Sequence, residues 1–114
     1  MPKHPRFAIR RDNRGELRFN LSARNGQVVL SSEGYRSLSS CEKGIAAVLE
    51  SCTDDSRFDR HTAKNGKHYF VLLAGNRQVI GTSQTYSAKA SMENGIRSVR
   101  ANAPRARVDD ECRG

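Results

Sequence analysis

The stretch Gly15–Val29, GELRFNLSARNGQVV, returns fifty-one residues later as Gly66–Ile80, GKHYFVLLAGNRQVI. Carried along the chain without a gap, the same offset sets Arg6, Phe7, Ser32, Tyr35, Ser40, Glu42, Gly44, Ile45 and Val48 on identical residues. Self-similarity of this extent marks an internal duplication. Within the first copy, Leu17, Phe19, Leu21 and Ala23 alternate with Arg18, Asn20, Ser22 and Arg24. A period of two puts one set on each face of a half-buried strand. Phe7 and Ile9 start a second alternating run, and Asn13–Gly15 predicts the hairpin turn between the two, as Asn65–Gly66 does in the second copy. A further reversal at Asn25–Gly26, matched by Gly75–Asn76, leads into strands over Gln27–Ser31 and Gln78–Thr82, because these residue types tolerate turn conformations. Each copy therefore begins as a three-stranded meander.

The period then changes. Leu38, Cys41, Ile45, Val48 and Cys52 step by three or four residues, and Met92, Ile96, Val99 and Ala103 repeat the stripe. This is the spacing of a helix with one apolar side, which must lie on the sheet. Ser39 followed by Glu42 predicts a capping box for the first helix, and the second is expected to start near Ser87. Pro104 limits the second helix. Gly44 and Gly95 stand in mid-helix, where glycine costs about 1 kcal/mol relative to alanine. Their position beside the stripe predicts a close approach of each helix to the sheet or to the other helix.

At 114 residues, with 36% hydrophobic and 28% charged residues, the chain can bury one modest core. A single domain over 1–114 is expected, with repeat one at 6–56 and repeat two at 57–110. The segment 57–63 closes the first copy and opens the second. Arg107-Val108-Asp109 repeats the Arg57-Phe58-Asp59 opening and predicts one more strand. The longest apolar run, Phe70–Ala74, is far short of the ~20 residues of a membrane helix. The amino terminus lacks the apolar centre of a targeting signal, so a cytoplasmic location without membrane contact is expected. Cys41, Cys52 and Cys112 give an odd count without close pairs, which fits buried thiols in a reducing compartment. His4, His61 and His68 do not pair with one another or with cysteine at zinc-ligand spacing, so no metal or cofactor is predicted.

Several segments together resemble the YegP-like tandem-repeat proteins of bacteria. They are Arg18-Phe19-Asn20-Leu21, Ala23-Arg24-Asn25-Gly26-Gln27, Ser32-Glu33-Gly34-Tyr35 and Glu42-Lys43-Gly44-Ile45, with the second copy running through Gly95–Ala103. The resemblance implies an α+β fold in which two tandem βββαβ repeats form a single mainly antiparallel sheet. It also implies exchanged terminal strands, and it brings no established biochemical function. Cys52 and Thr53 depart from Ala103 and Pro104 at the helix end. Met1–Pro5 lies outside the repeat.

No serine, histidine and acid arrangement carries the signature of an enzyme, and the stripe buries Cys41 and Cys52 away from any base. A non-enzymatic reading follows. His61 and His68 flank the Asn65–Gly66 turn and are expected as cross-strand neighbours there. With both helices on one face, the other face is the candidate interaction surface. Copy one offers it Arg6, Arg10, Arg18, Asn20 and Arg24. Copy two offers Tyr69, Val71, Leu73 and Ile80. An apolar strip of that kind fits another protein or a second copy of the chain. The net charge of +8, with Arg6, Arg10, Arg11, Arg14, Arg18 and Arg24 all near the amino terminus, supplies the alternative. In that alternative arginines grip the phosphates of a nucleic acid while Tyr69 stacks on a base.

Overall fold

The alternating runs form strands in a computed structural model that describes residues 4–111. Strands β1 (Arg6–Arg11), β2 (Leu17–Ser22) and β3 (Val28–Ser32) precede helix α1 (Leu38–Ser51). Then come β4 (Phe58–Thr62), β5 (His68–Leu73), β6 (Val79–Thr82), helix α2 (Lys89–Asn102) and β7 (Arg107–Asp110). All seven strands belong to one mixed sheet in the order β4-β5-β6-β3-β2-β1-β7. Its pairings are antiparallel except that of β1 with β7.

The two copies join along β3 and β6, where Ser31 pairs with Thr82 and Ser32 with Gly81. Ser31 and Thr82 are twins under the repeat, so the seam lies on a local two-fold axis. The strand at 57–63, expected to close the first copy as well as to open the second, instead pairs only with β5 and forms the far edge of the sheet. At the opposite edge, β7 follows α2 of the second copy and lies beside β1 of the first.

The turns follow from local chemistry. Asp12 Oδ1 accepts the Arg14 and Glu16 amides, and Asn25, Asn65 and Asn76 each accept the amide two residues on. Gly15, Gly26 and Gly66 have positive φ. The twin of Gly26 is Arg77, at φ 70°, so the left-handed residue of the second reversal is Arg77 and not Gly75.

Both helices lie on one face of the sheet, over a single core. Phe7, Ile9, Phe19, Leu21, Leu30, Phe70 and Leu72 are fully buried with Cys41, Val48, Met92, Ile96 and Val99. Each such side chain stabilises the fold by about 1.5–3 kcal/mol. A Cβ on Gly44 would stand 3.1 Å from the Phe19 ring and still closer to the Tyr35 hydroxyl. On Gly95 it would meet Phe70 and Tyr86 in the same way. The mid-helix glycines thus admit tyrosines that run beneath the helices. Helix α1 is capped by Ser37, whose side chain accepts the Ser40 amide, and not by Ser39. Helix α2 has Ala88 at that place and no side-chain cap, so it starts one residue later than Ser87 would require. Cys41 and Cys52 are buried, and burial pushes the Cys52 thiol above its ordinary range. Cys112 lies outside the described residues.

Candidate interaction face

Paired residues of neighbouring strands share a face, so the register defines what the helix-free side presents. One row crosses the whole sheet through Asp59, Val71, Thr82, Ser31, Asn20, Ala8 and Asp109. On one side of it Tyr69 lies opposite His61 and Arg6 opposite Ser22. On the other, Leu73 lies opposite Val79 and Arg10 opposite Arg18.

The first-copy half of this face is charged but internally neutralised. Arg6 pairs with Asp109 at 3.1 Å and with Glu111 at 3.5 Å, and Arg10 Nε reaches Glu111 at 2.5 Å. Arg18 pairs with Asp12 at 2.8 Å and donates to the Ser32 carbonyl at 3.2 Å. The Arg18 guanidinium holds the Asp12 carboxyl below its ordinary value, against the opposing effect of desolvation. These partners come from β7 and from the turn before β2. A phosphate arriving at Arg6, Arg10 or Arg18 would have to displace a carboxylate.

The second-copy half is apolar and aromatic. Tyr69, Val71 and Leu73 are partly exposed there, flanked by Asp59 and His61. The His61 and Tyr69 rings stack with centroids 5.2 Å apart, and His61 Nε2 lies 3.1 Å from Asp59 Oδ2. His68 faces the other side of the sheet opposite Thr62, so the two histidines expected together are separated by the sheet itself.

Two residues assigned to this face lie elsewhere. Ile80 is buried in the core. Leu72 pairs with Gly81 and Leu73 with Val79, leaving Ile80 as the extra residue of a β-bulge that turns it inward. Val79, 40% exposed, takes the outward position. The first copy has the same bulge, with Val29 inward and Val28 outward. Arg24 lies beyond the end of β2, in a groove against the end of α2. Only a bulge in the pattern could have revealed Val79, and alternation alone steps past it.

Among the described residues no group of three histidine, cysteine or acidic side chains is placed to hold a metal ion. No described helix is long and apolar enough to cross a membrane.

The repeat and the single sheet both have counterparts in known proteins. A family model described as a domain of unknown function, DUF1508, matches residues 12–59 and again 63–110. A UPF0339 protein encoded in the ptx operon 5′ region of Stutzerimonas stutzeri is 47% identical over 102 residues, covering 90% of this chain and 92% of that protein. The UPF0339 protein YegP of Escherichia coli (strain K12) is 44% identical over 104 residues, covering 91% and 94%. The solution NMR structure of yegP from E. coli, a protein of unknown function, superposes with a TM-score of 0.90 at 41% identity, covering 97% of this chain and 96% of that one. This chain, with its two DUF1508 units, belongs to the UPF0339 family, whose function is unknown.

Proposed function

We propose that the chain is a non-enzymatic protein-contact module that receives a protein surface, of another chain or of a second copy, on the second-copy half of its helix-free face. One observation carries this reading. Tyr69, Val71 and Leu73 are the twins of Arg18, Asn20 and Ser22, which occupy the same places in the same fold. The scaffold therefore does not require apolar side chains there, and partly exposed ones on an open face are those a contact surface uses. The stack of His61 on Tyr69 adds a flat aromatic platform of the kind enriched at interfaces. The nucleic-acid alternative has less support, because Arg6, Arg10 and Arg18 already hold carboxylates.

Photo-crosslinking tests the proposal. A crosslinking residue at position 71 is expected to give one discrete protein adduct in cells, and the same residue at position 20 none. Val71→Asn with Leu73→Ser, which installs the twin residues, should abolish an adduct formed from position 69. Sedimentation of the purified chain shows whether the partner is a second copy. Equal adducts from positions 71 and 20, or none from either, would remove the basis of the reading.

A further inference from the structure

The turn between β2 and β3 meets the end of α2 across a groove of about 580 Å³, lined by Ala23, Arg24, Asn25, Ala101, Asn102 and Arg105. Both copies contribute to it. Among the described residues neither the Arg24 nor the Arg105 side chain makes a hydrogen bond or an ion pair. Elsewhere Arg6, Arg10, Arg18, Arg57, Arg60, Arg100 and Arg107 approach carboxylates, while Arg11, Arg14, Arg36, Arg77 and Arg97 hold none among the described residues.

The two-fold repeat supplies an internal control. In the twin groove Ala74 and Asn76 keep the turn, but Gly75 replaces Arg24, Asp54 replaces Arg105 and Glu50 replaces Ala101. Arg57 occupies that space. Its guanidinium stands 3.6 Å from where a Cβ on Gly75 would lie, donates to Ser51 Oγ at 3.1 Å and pairs with Asp54 at 3.4 Å. One groove therefore holds its own ion pair, while the other is lined by two arginines that hold no carboxylate among the described residues. Arg105 follows the end of α2, where the helix dipole favours a cation. Arg24 sits in a turn and has no such compensation.

We infer that the Arg24–Arg105 groove is a binding site for a phosphate-bearing anion of the diphosphate class. Guanidinium forks match phosphate oxygens in shape and charge, and a multiply charged group satisfies two of them where a single carboxylate satisfies one. The groove is lined by alanines, asparagines and arginines with no aromatic ring, so it recognises the phosphates and adds nothing for a base or sugar.

The test is an amide chemical-shift titration of the full chain with pyrophosphate and, separately, with adenosine diphosphate, at fixed ionic strength. Saturable shifts are expected at residues 23–26, 101–103 and 105–106 and none at 74–76. Arg24→Gly and Arg105→Asp, each the twin residue, should each weaken binding about tenfold or more, as loss of a charge-assisted bidentate contact does. Adenosine diphosphate should bind within about threefold of pyrophosphate. Shifts that do not saturate, that appear equally at 74–76, or that keep the native affinity in Arg24→Gly overturn the site. Tighter binding of the nucleotide by tenfold or more overturns its restriction to phosphate.

Discussion

Ile9 and Arg60 hold the same place in the two copies, yet one is fully buried and the other is an ion-paired cation. The difference follows from what lies outside them. Beside β1 runs β7, with Ile9 opposite Asp110 and its carbonyl accepting the Glu111 amide. Beside β4 there is no strand among the described residues. Arg60 there meets Glu93 at 2.6 Å and Asp55 at 3.0 Å, and donates to the Phe58 carbonyl at 3.3 Å. The Phe58 amide is held by the Asp55 carbonyl. Two outward backbone groups of β4 are thus already occupied, and an inward charge takes the place of an apolar side chain. Sheet edges left in water are protected by such devices. A duplicated unit therefore keeps its residues where the two environments agree and changes them where the environments differ.

The largest test of that rule lies at the seam. Leu30 is fully buried, and its twin is Gly81, where a Cβ would lie 2.9 Å from Leu30 Cγ and 3.0 Å from the Ser31 carbonyl oxygen. Only one of the two positions across the axis has room for a large side chain. Leu30→Ala should cost about 3 kcal/mol as a cavity, and Gly81→Ala about 2 kcal/mol by overpacking. In the double variant the second cost should fall by at least about 1 kcal/mol, because the neighbour has been removed. Strict additivity in urea denaturation would show that the two positions do not share space.

Where the environments agree, the two copies should respond alike. Gly44→Ala and Gly95→Ala each gain up to about 1 kcal/mol of helix propensity but force a methyl group against the hydroxyl of a partly buried tyrosine. A net loss of about 1–2 kcal/mol is expected at both sites. Shortening the tyrosine, as Tyr35→Phe or Tyr86→Phe, should recover part of it. A difference between the two sites greater than about 1 kcal/mol would mean that the helices are not seated equivalently.

The matched parts of the two copies are also the parts that a reading of the residues recovers. Alternation at Leu17–Ala23 and the three-and-four stepping of Cys41, Ile45 and Val48 are local patterns, and local patterns predict elements. The mid-helix glycines are legible because they break a propensity. Ile80 is not, because a bulge adds one residue and reverses the alternation beyond it. The neutralisation of Arg6 and Arg10 is equally hidden, since Asp109 and Glu111 lie about a hundred residues away in sequence and come alongside only through the β1–β7 pairing. Arg24 reads as the next outward residue of a strand, but the chain turns before reaching it. The charges of the candidate face are thus visible in the chain, and their partners are visible only in the fold.

The smallest effects concern the Arg60 clamp, and they sharpen the comparison of the two edges most directly. Arg60→Ile makes β4 resemble β1, so sedimentation should show self-association that rises with concentration. Adding Thr62→Pro, at an outward-facing amide of the edge, should reverse it. An Arg60→Ile variant that folds and stays unassociated would show that the edge is closed by something other than the clamp. The clamp also leaves a pH signature. The Arg60 guanidinium holds the Glu93 carboxyl below its ordinary value of 4.5, against burial and the charge of Asp55. A carboxyl depressed in the folded state contributes stability that is present above its unfolded pKa and is lost as pH falls through the folded one. Glu93→Gln should therefore cost less than about 1 kcal/mol at pH 7, since both side chains are about one-third exposed. The gap from the native chain should hold down to about pH 5 and close progressively below pH 4.5. A gap in urea midpoint that persists unchanged into that acid range would mean that Glu93 stabilises through packing and not through its charge.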